Sequence, residues 1–134
     1  MGFTPAYINQ GHMQGWERLP AAAITPKVGM ALVFSSGKLT TATGTTRPTH
    51  ISMLESSTTV VADTKIPVIA VDDNALYDTT NADAFTNVKV GDLVSIAAGG
   101  LKVTPTASGS TGVAQVVYME GTAVGSKITV RFPG

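Results

Sequence analysis

Lys127-Ile128-Thr129-Val130-Arg131-Phe132 alternates strictly between polar and apolar side chains. A period of two sends Ile128, Val130 and Phe132 to one face of an extended chain and the polar three to the other, the pattern of a half-buried β-strand. The same phase appears 62 residues earlier in Lys65-Ile66-Pro67-Val68. Pro67 stands there in place of Thr129. Proline has no N–H to give to a ladder, so this copy is expected at a sheet edge or beside a bulge.

The 62-residue offset runs well beyond this strand. Lys27-Val28-Gly29 recurs as Lys89-Val90-Gly91, Gly37 as Gly99, Leu39 as Leu101, and Thr49 as Thr111. With Lys65, Ile66 and Val68 this makes nine identities, without a gap, over the 45 positions from 27 to 71. Chance pairing of such biased compositions gives roughly 3 to 4. Each copy, 27–71 and 89–133, reads as one β unit. A Gly turn leads into a strand at 30–34 or 92–96, a Gly-bearing hairpin follows at 35–38 or 97–100, and a return strand carries Leu39 or Leu101. After a loop rich in Thr, Ser and Gly, the next strand lies at 50–54 or 112–119. Two such units in one chain predict an all-β fold, a small barrel or sandwich domain spanning 27–134. The acidic stretch between them, 72–88, holds Asp72, Asp73, Asp78 and Asp83 with no Lys or Arg before Lys89; it reads as a surface excursion, with at most one helical turn near 80–85.

Residues 1–26 differ from the rest. They hold Phe3, Tyr7 and Trp16, interspersed with Pro5, Pro20 and Pro26, and their only charged side chains are Glu17 and Arg18. The prolines interrupt any helix and hold the path extended or turning. This segment reads as an extended N-terminal arm that either lies against a partner or wraps back over its own domain. In the first case Phe3, Tyr7 and Trp16 are its partner-binding anchors, because aromatic side chains bury large areas and dominate interface energies.

Composition narrows the function. The chain is 43% hydrophobic and 13% charged, with a formal net charge of zero, against about 25% charged residues in an average protein. A surface built from Thr, Ser, Ala and Gly is cheap to desolvate against a neighbour, and near-zero net charge favours association. Without a Lys/Arg run there is little to neutralise phosphates, so nucleic acid is not an expected partner. Apolar runs are a few residues long and predict no transmembrane helix, and the N-terminus lacks the pattern of a signal peptide, so no membrane partner is expected and synthesis in a cytoplasm is. Zero Cys excludes disulfides, thiolate metal sites and Cys nucleophiles.

Sites of chemistry fail one after another. Counted from Asp72, a calcium loop needs Gly sixth and Glu twelfth, but Tyr77 and Asp83 stand there. His12 and His50 have no second ligand at metal spacing. The serines of Ser35-Ser36-Gly37 and Ser108-Gly109-Ser110 sit in turn composition and not in a nucleophile elbow, and no phosphate-cradling Gly pattern occurs. Met13, Met30, Met53 and Met119 are dispersed, as core fillers are. The expectation is a non-enzyme with no catalytic residue, cofactor or metal.

In layout the chain resembles the small head-decoration, or cement, proteins of tailed bacteriophages, particularly the trimeric type. The resemblance is carried by the Pro- and aromatic-bearing arm, Pro26-Lys27-Val28-Gly29, the Gly37 hairpin, Val90-Gly91-Asp92-Leu93-Val94 and the closing Ile128-Thr129-Val130-Arg131-Phe132. It implies a β-barrel or β-clip fold, a homotrimer, binding to the major capsid protein on the outer surface of a virion, and an arm that strengthens the shell. The duplication departs from that family's pattern. A phage tail or fibre component, or another surface assembly module, uses the same physics; a carbohydrate-binding module is a further alternative of a different class.

Overall fold

The computed structural model describes residues 2–7 and 16–134, Tyr7 by its backbone alone. Its described residues form eleven strands and no helix. Five of them, β2 (Trp16–Ala21), β3 (Ala31–Ser35), β4 (Lys38–Thr41), β5 (His50–Ser52) and β6 (Thr64–Ala70), close into a barrel in the order β2-β4-β3-β5-β6. The other six form a sheet, β1-β7-β11-β10-β8-β9, made of β1 (Thr4–Tyr7), β7 (Leu76–Thr80), β8 (Leu93–Ile96), β9 (Val103–Thr104), β10 (Ala114–Met119) and β11 (Lys127–Arg131). Alternation fills the first barrel with Ala21, Met30, Leu32, Leu39, Ile66 and Val68. The opposite faces of the same strands carry Ala31, Ile51 and Ile69 into a second cluster with Val94, Ile96, Val116, Ile128 and Val130, which joins the two halves.

The sequence duplication is a duplication of strand pairing. β3 pairs antiparallel with β4 and β5, and β5 with β6; β8 pairs likewise with β9 and β10, and β10 with β11. Two strands, β9 and β10, are out of step with the gapless offset. Phe34 faces Leu39, but its counterpart Ile96 faces Val103, so the second return strand lies two residues past the Leu101 that 62 assigns. Leu32 faces His50, but its counterpart Val94 faces Ala114, two residues beyond the position that 62 assigns. Because each slip is even, every side chain keeps its side of the sheet.

The repeat also begins earlier than 27 and 89. β2 pairs antiparallel on β6, with Arg18 opposite Pro67 and Glu17 opposite Val68; β7 pairs on β11 in the same way, with Asp78 opposite Thr129 and Tyr77 opposite Val130. Both units then close alike. In the first, Ala21 meets Leu39 in a parallel pair and the Ala22 N–H donates to the Leu39 carbonyl at 2.9 Å. In the second, Asn81 meets Val103 in a parallel bridge and the Ala82 N–H donates to the Val103 carbonyl at 2.8 Å. The six-stranded sheet is therefore a second five-strand barrel unit, closed by one bridge, with β1 added.

Three expectations are corrected. The acidic stretch 72–88 is not a surface excursion: β7 lies between β1 and β11, and Ala75, Tyr77, Thr79, Asn81 and Phe85 are buried. Its run of polar side chains hid a strand that tertiary pairing imposes. Asp78 faces outward, accepting from the Thr129 hydroxyl at 2.6 Å and lying 3.5 Å from the Lys127 ammonium, and residues 80–85 form no helical turn. Second, β6 is neither an edge strand nor bulged, since it pairs regularly with both β2 and β5. Pro67 is tolerated because its backbone faces the residue just past the end of β5: the Met53 N–H donates to the Pro67 carbonyl at 2.9 Å, and the only bond the ring forbids is the reciprocal one.

The third correction concerns the segment 1–26. Its described residues lie in the domain's own sheets, β1 on β7 and β2 on β6, so it wraps back over its own domain. Phe3 is fully buried, its ring 5.3 Å from Phe132 in an edge arrangement, with Tyr77 5.4 Å from Phe132 on the other side. An interior Phe3 is a core residue and not an anchor for a partner. The backbone is stapled beside it: the Phe3 N–H donates to the Gly29 carbonyl at 2.7 Å, and Gly2 and Gly29 approach so closely that a Cβ on Gly29, whose φ is +85°, would come within 2.8 Å of Gly2. Phe3→Ala is expected to cost roughly 3–5 kcal/mol of unfolding free energy in a urea titration. Trp16→Ala should stay within about 0.5 kcal/mol. Gly29→Ala should destabilise by more than about 1 kcal/mol, from backbone strain and the collision together.

Candidate functional site

The two barrel units have equivalent mouths with different chemistry. In the first, Glu17 is opposite Val68, His50 is opposite both Leu32 and Ala70, and Phe34 follows Leu32 by two. Alternation therefore turns Glu17, Phe34 and His50 to the barrel's inner side at one end. The contacts agree: the Phe34 and His50 rings lie 6.3 Å apart, edge to face, and Glu17 Oε1 is 3.5 Å from His50 Nε2. The equivalent positions in the second unit are Tyr77, Ile96, Ala114 and Phe132, all buried beneath Phe3. One mouth is plugged by aromatic side chains, and the other holds an acid and a histidine.

The hydrogen bonds fix the roles around His50. The Phe34 N–H donates to the Thr49 hydroxyl oxygen at 2.8 Å, so the Thr49 O–H is free to donate to His50 Nδ1, also at 2.8 Å. That leaves Nε2 as the protonated nitrogen of a neutral ring, pointing at Glu17. Burial pushes the His50 pKa below its ordinary value, and the Glu17 carboxylate only partly offsets this. The contact is thus an electrostatic one between a neutral imidazole and the Glu17 side chain, 3.5 Å apart, that brings the start of β2 against β5. The chain Phe34–Thr49–His50–Glu17 positions strands, and Thr49 is engaged as both donor and acceptor.

A second concavity, of about 330 Å³, is lined by Thr86, Asn87, Asp92, Pro105, Thr106 and Gly109, among others. Its one carboxylate, Asp92, accepts from the Lys89 N–H at 2.9 Å and so serves the turn into β8. Asn81 is buried and bonded on both amide atoms, receiving the Ser126 N–H and donating to the Asp83 and Thr122 carbonyls, so it holds three loops together. Among the described residues no cluster of three His, Asp or Glu could hold a metal ion, and no helix is long and apolar enough to cross a membrane.

Of the three expected anchors, Phe3 is interior, Tyr7 ends β1 with its side chain outside the described residues, and Trp16 opens β2 with 68% of its surface exposed. His12 and Met13 lie outside the described residues. Sequence reading missed a second exposed apolar site. Tyr118 is 52% exposed and Val117 half-exposed where β10 bulges against β11, with Val90 exposed beside them, because the Gly91 N–H bonds to the Val116 carbonyl at 2.7 Å. The signal available was the apolar run Val116-Val117-Tyr118-Met119, which a regular strand cannot bury on one side. Comparisons with protein-family models, with curated proteins and with solved structures find no match to this chain.

A depressed His50 pKa means that the native state binds this proton less readily than the unfolded chain. The stability it contributes is complete above the ordinary histidine pKa of about 6.5 and is lost as pH falls below it toward the native value. Chemical unfolding is expected to show stability declining between pH 7 and pH 5, and His50→Gln should flatten the profile over that interval.

Proposed function

We propose that this chain is a structural protein that works by packing onto other protein subunits, and specifically a head-decoration protein of a tailed bacteriophage. In this reading it sits on the outer surface of the virion as a homotrimer, binds the major capsid protein and stabilises the shell. The observation that carries it is Trp16: a tryptophan 68% exposed on a strand of a closed barrel is a large, rigid apolar surface of the kind that association covers. Tyr118, Val117 and Val90 add a second such surface on the other unit. The low charge of the chain supports the same reading, because few ions must be desolvated when its faces are covered.

Deleting the N-terminal segment would not test docking, since removing Phe3 opens the core. Point substitutions on the surface separate docking from folding. Wild-type protein is expected to co-sediment with heads built from the major capsid protein at a fixed ratio and to scatter light as a trimer. Trp16→Ala should weaken capsid binding by about 2 kcal/mol, roughly 30-fold in affinity, with the unfolding midpoint unchanged. A wild-type chain that stays in the supernatant at every capsid concentration would remove this reading.

A further inference from the structure

The repeat makes a comparison possible that neither half allows alone. In the second unit the outer edge of β7 carries a third strand: β1 pairs antiparallel along it, with Thr4 opposite Asp78, Pro5 opposite Tyr77 and Tyr7 opposite Leu76. The β6 and β11 registers make Trp16, Glu17 and Arg18 the counterparts of Leu76, Tyr77 and Asp78. On the matching side of β2, β4 pairs only at Ala21, and no strand among the described residues pairs beside Trp16, Glu17 and Arg18.

The backbone direction along this edge follows from the bonds at its far end. The Ala22 N–H donates toward β4, whereas the Ala21 carbonyl accepts from Asp63 on the β6 side. Successive residues alternate, so the N–H and C=O groups of Arg18 and Trp16 point to the same side as those of Ala22, away from β6. Asp78 behaves alike, its carbonyl receiving the Thr4 hydroxyl of β1. The two edges present the same groups in the same order.

We propose that the outer edge of β2 at Trp16, Glu17 and Arg18 is a strand-docking site that takes an extended, antiparallel segment of a partner protein, as the equivalent edge of β7 takes β1. The side chains specify the occupant. Arg18 stands where Asp78 meets Thr4, and no carboxylate among the described residues pairs with it, so the partner residue opposite it is acidic. The position preceding that one corresponds to Phe3, which enters the second unit's mouth; here the mouth holds the Glu17 carboxylate, His50 and the small Ala70, and calls for a Lys or Arg. Opposite Trp16 lies the counterpart of Tyr7, an aromatic or large aliphatic residue. Main-chain bonds supply affinity in such an arrangement, and these three side chains supply selection.

This inference deepens the assembly reading by naming the receiving surface, and its first test is independent of any capsid. The probe is the blocked peptide Gly-Lys-Asp-Pro-Ala-Tyr, which keeps the spacing of residues 2–7, titrated into the ¹⁵N-labelled full chain. Before addition, the Arg18 amide should exchange rapidly with solvent while that of Glu17, directed at β6, is protected. On addition, the Trp16 and Arg18 amides should shift and gain protection. Arg18→Pro removes the outward N–H without touching the β6 ladder and should weaken the peptide by about tenfold or more. Arg18→Glu, which leaves the backbone intact, should shift preference to a peptide with Lys in place of Asp. An Arg18 amide already protected in the free protein, peptide-induced shifts confined to another surface, or unchanged binding by both variants would each overturn the proposal. Capsid binding that survives both substitutions would also overturn it and would leave the assembly reading standing, whereas failure of the unsubstituted chain to bind capsids would strike that reading alone.

Discussion

Two parallel contacts, Ala21 on Leu39 and Asn81 on Val103, are what turn two runs of short strands into closed units. Strands of two to seven residues bury little apolar area each, and an open sheet of them would expose a row of unpaired amides along both margins. Joining the first strand to the third of each unit closes the ring of strands and creates an inside. The rest of the molecule follows from having two insides and a shared outer face between them, where Ala31, Ile51 and Ile69 meet the second unit.

The two units solve the problem of the open end differently, and this difference is the main structural asymmetry of the chain. In the second unit Phe3, Tyr77 and Phe132 fill the end with aromatic carbon, and β1 completes the strand margin beside it. In the first, a neutral His50 held between Thr49 and Glu17 stands at the end, and the margin of β2 carries an exposed Trp16 and a charged Arg18. A duplicated scaffold has thus closed one copy with the chain's own N-terminal strand and left Trp16 exposed on the other.

Much of the sheet architecture was legible in residues. β3, β8, β10 and β11 carry alternating or β-branched runs bounded by Gly turns, β6 carries such a run without them, and the unbroken 62-residue offset exposed the duplication. The offset hid its own flaw: two-residue slips from β4 to β9 and from β5 to β10 keep the parity of every side chain, so apolar residues still align with apolar residues. β7 was illegible because Leu76-Tyr77-Asp78-Thr79-Thr80 has the composition of a solvated loop. Thr79 is buried only because its hydroxyl finds the Leu101 carbonyl at 2.8 Å, a partner 22 residues away.

The sequence by itself determined that this chain is all-β, that it is built twice over one pattern, and that it carries little charge. Those properties are local or periodic, set by side-chain alternation, turn glycines and composition. Only the tertiary structure decided the fate of the three N-terminal aromatics. Phe3 and Trp16 are similar in hydrophobic drive, but one lies beside Phe132 and the other at a barrel rim, and this depends on where β1 and β2 are received by strands some sixty residues further along. Which apolar side chain becomes core and which remains available to a partner is a property of distant pairing, and no window of sequence contains it.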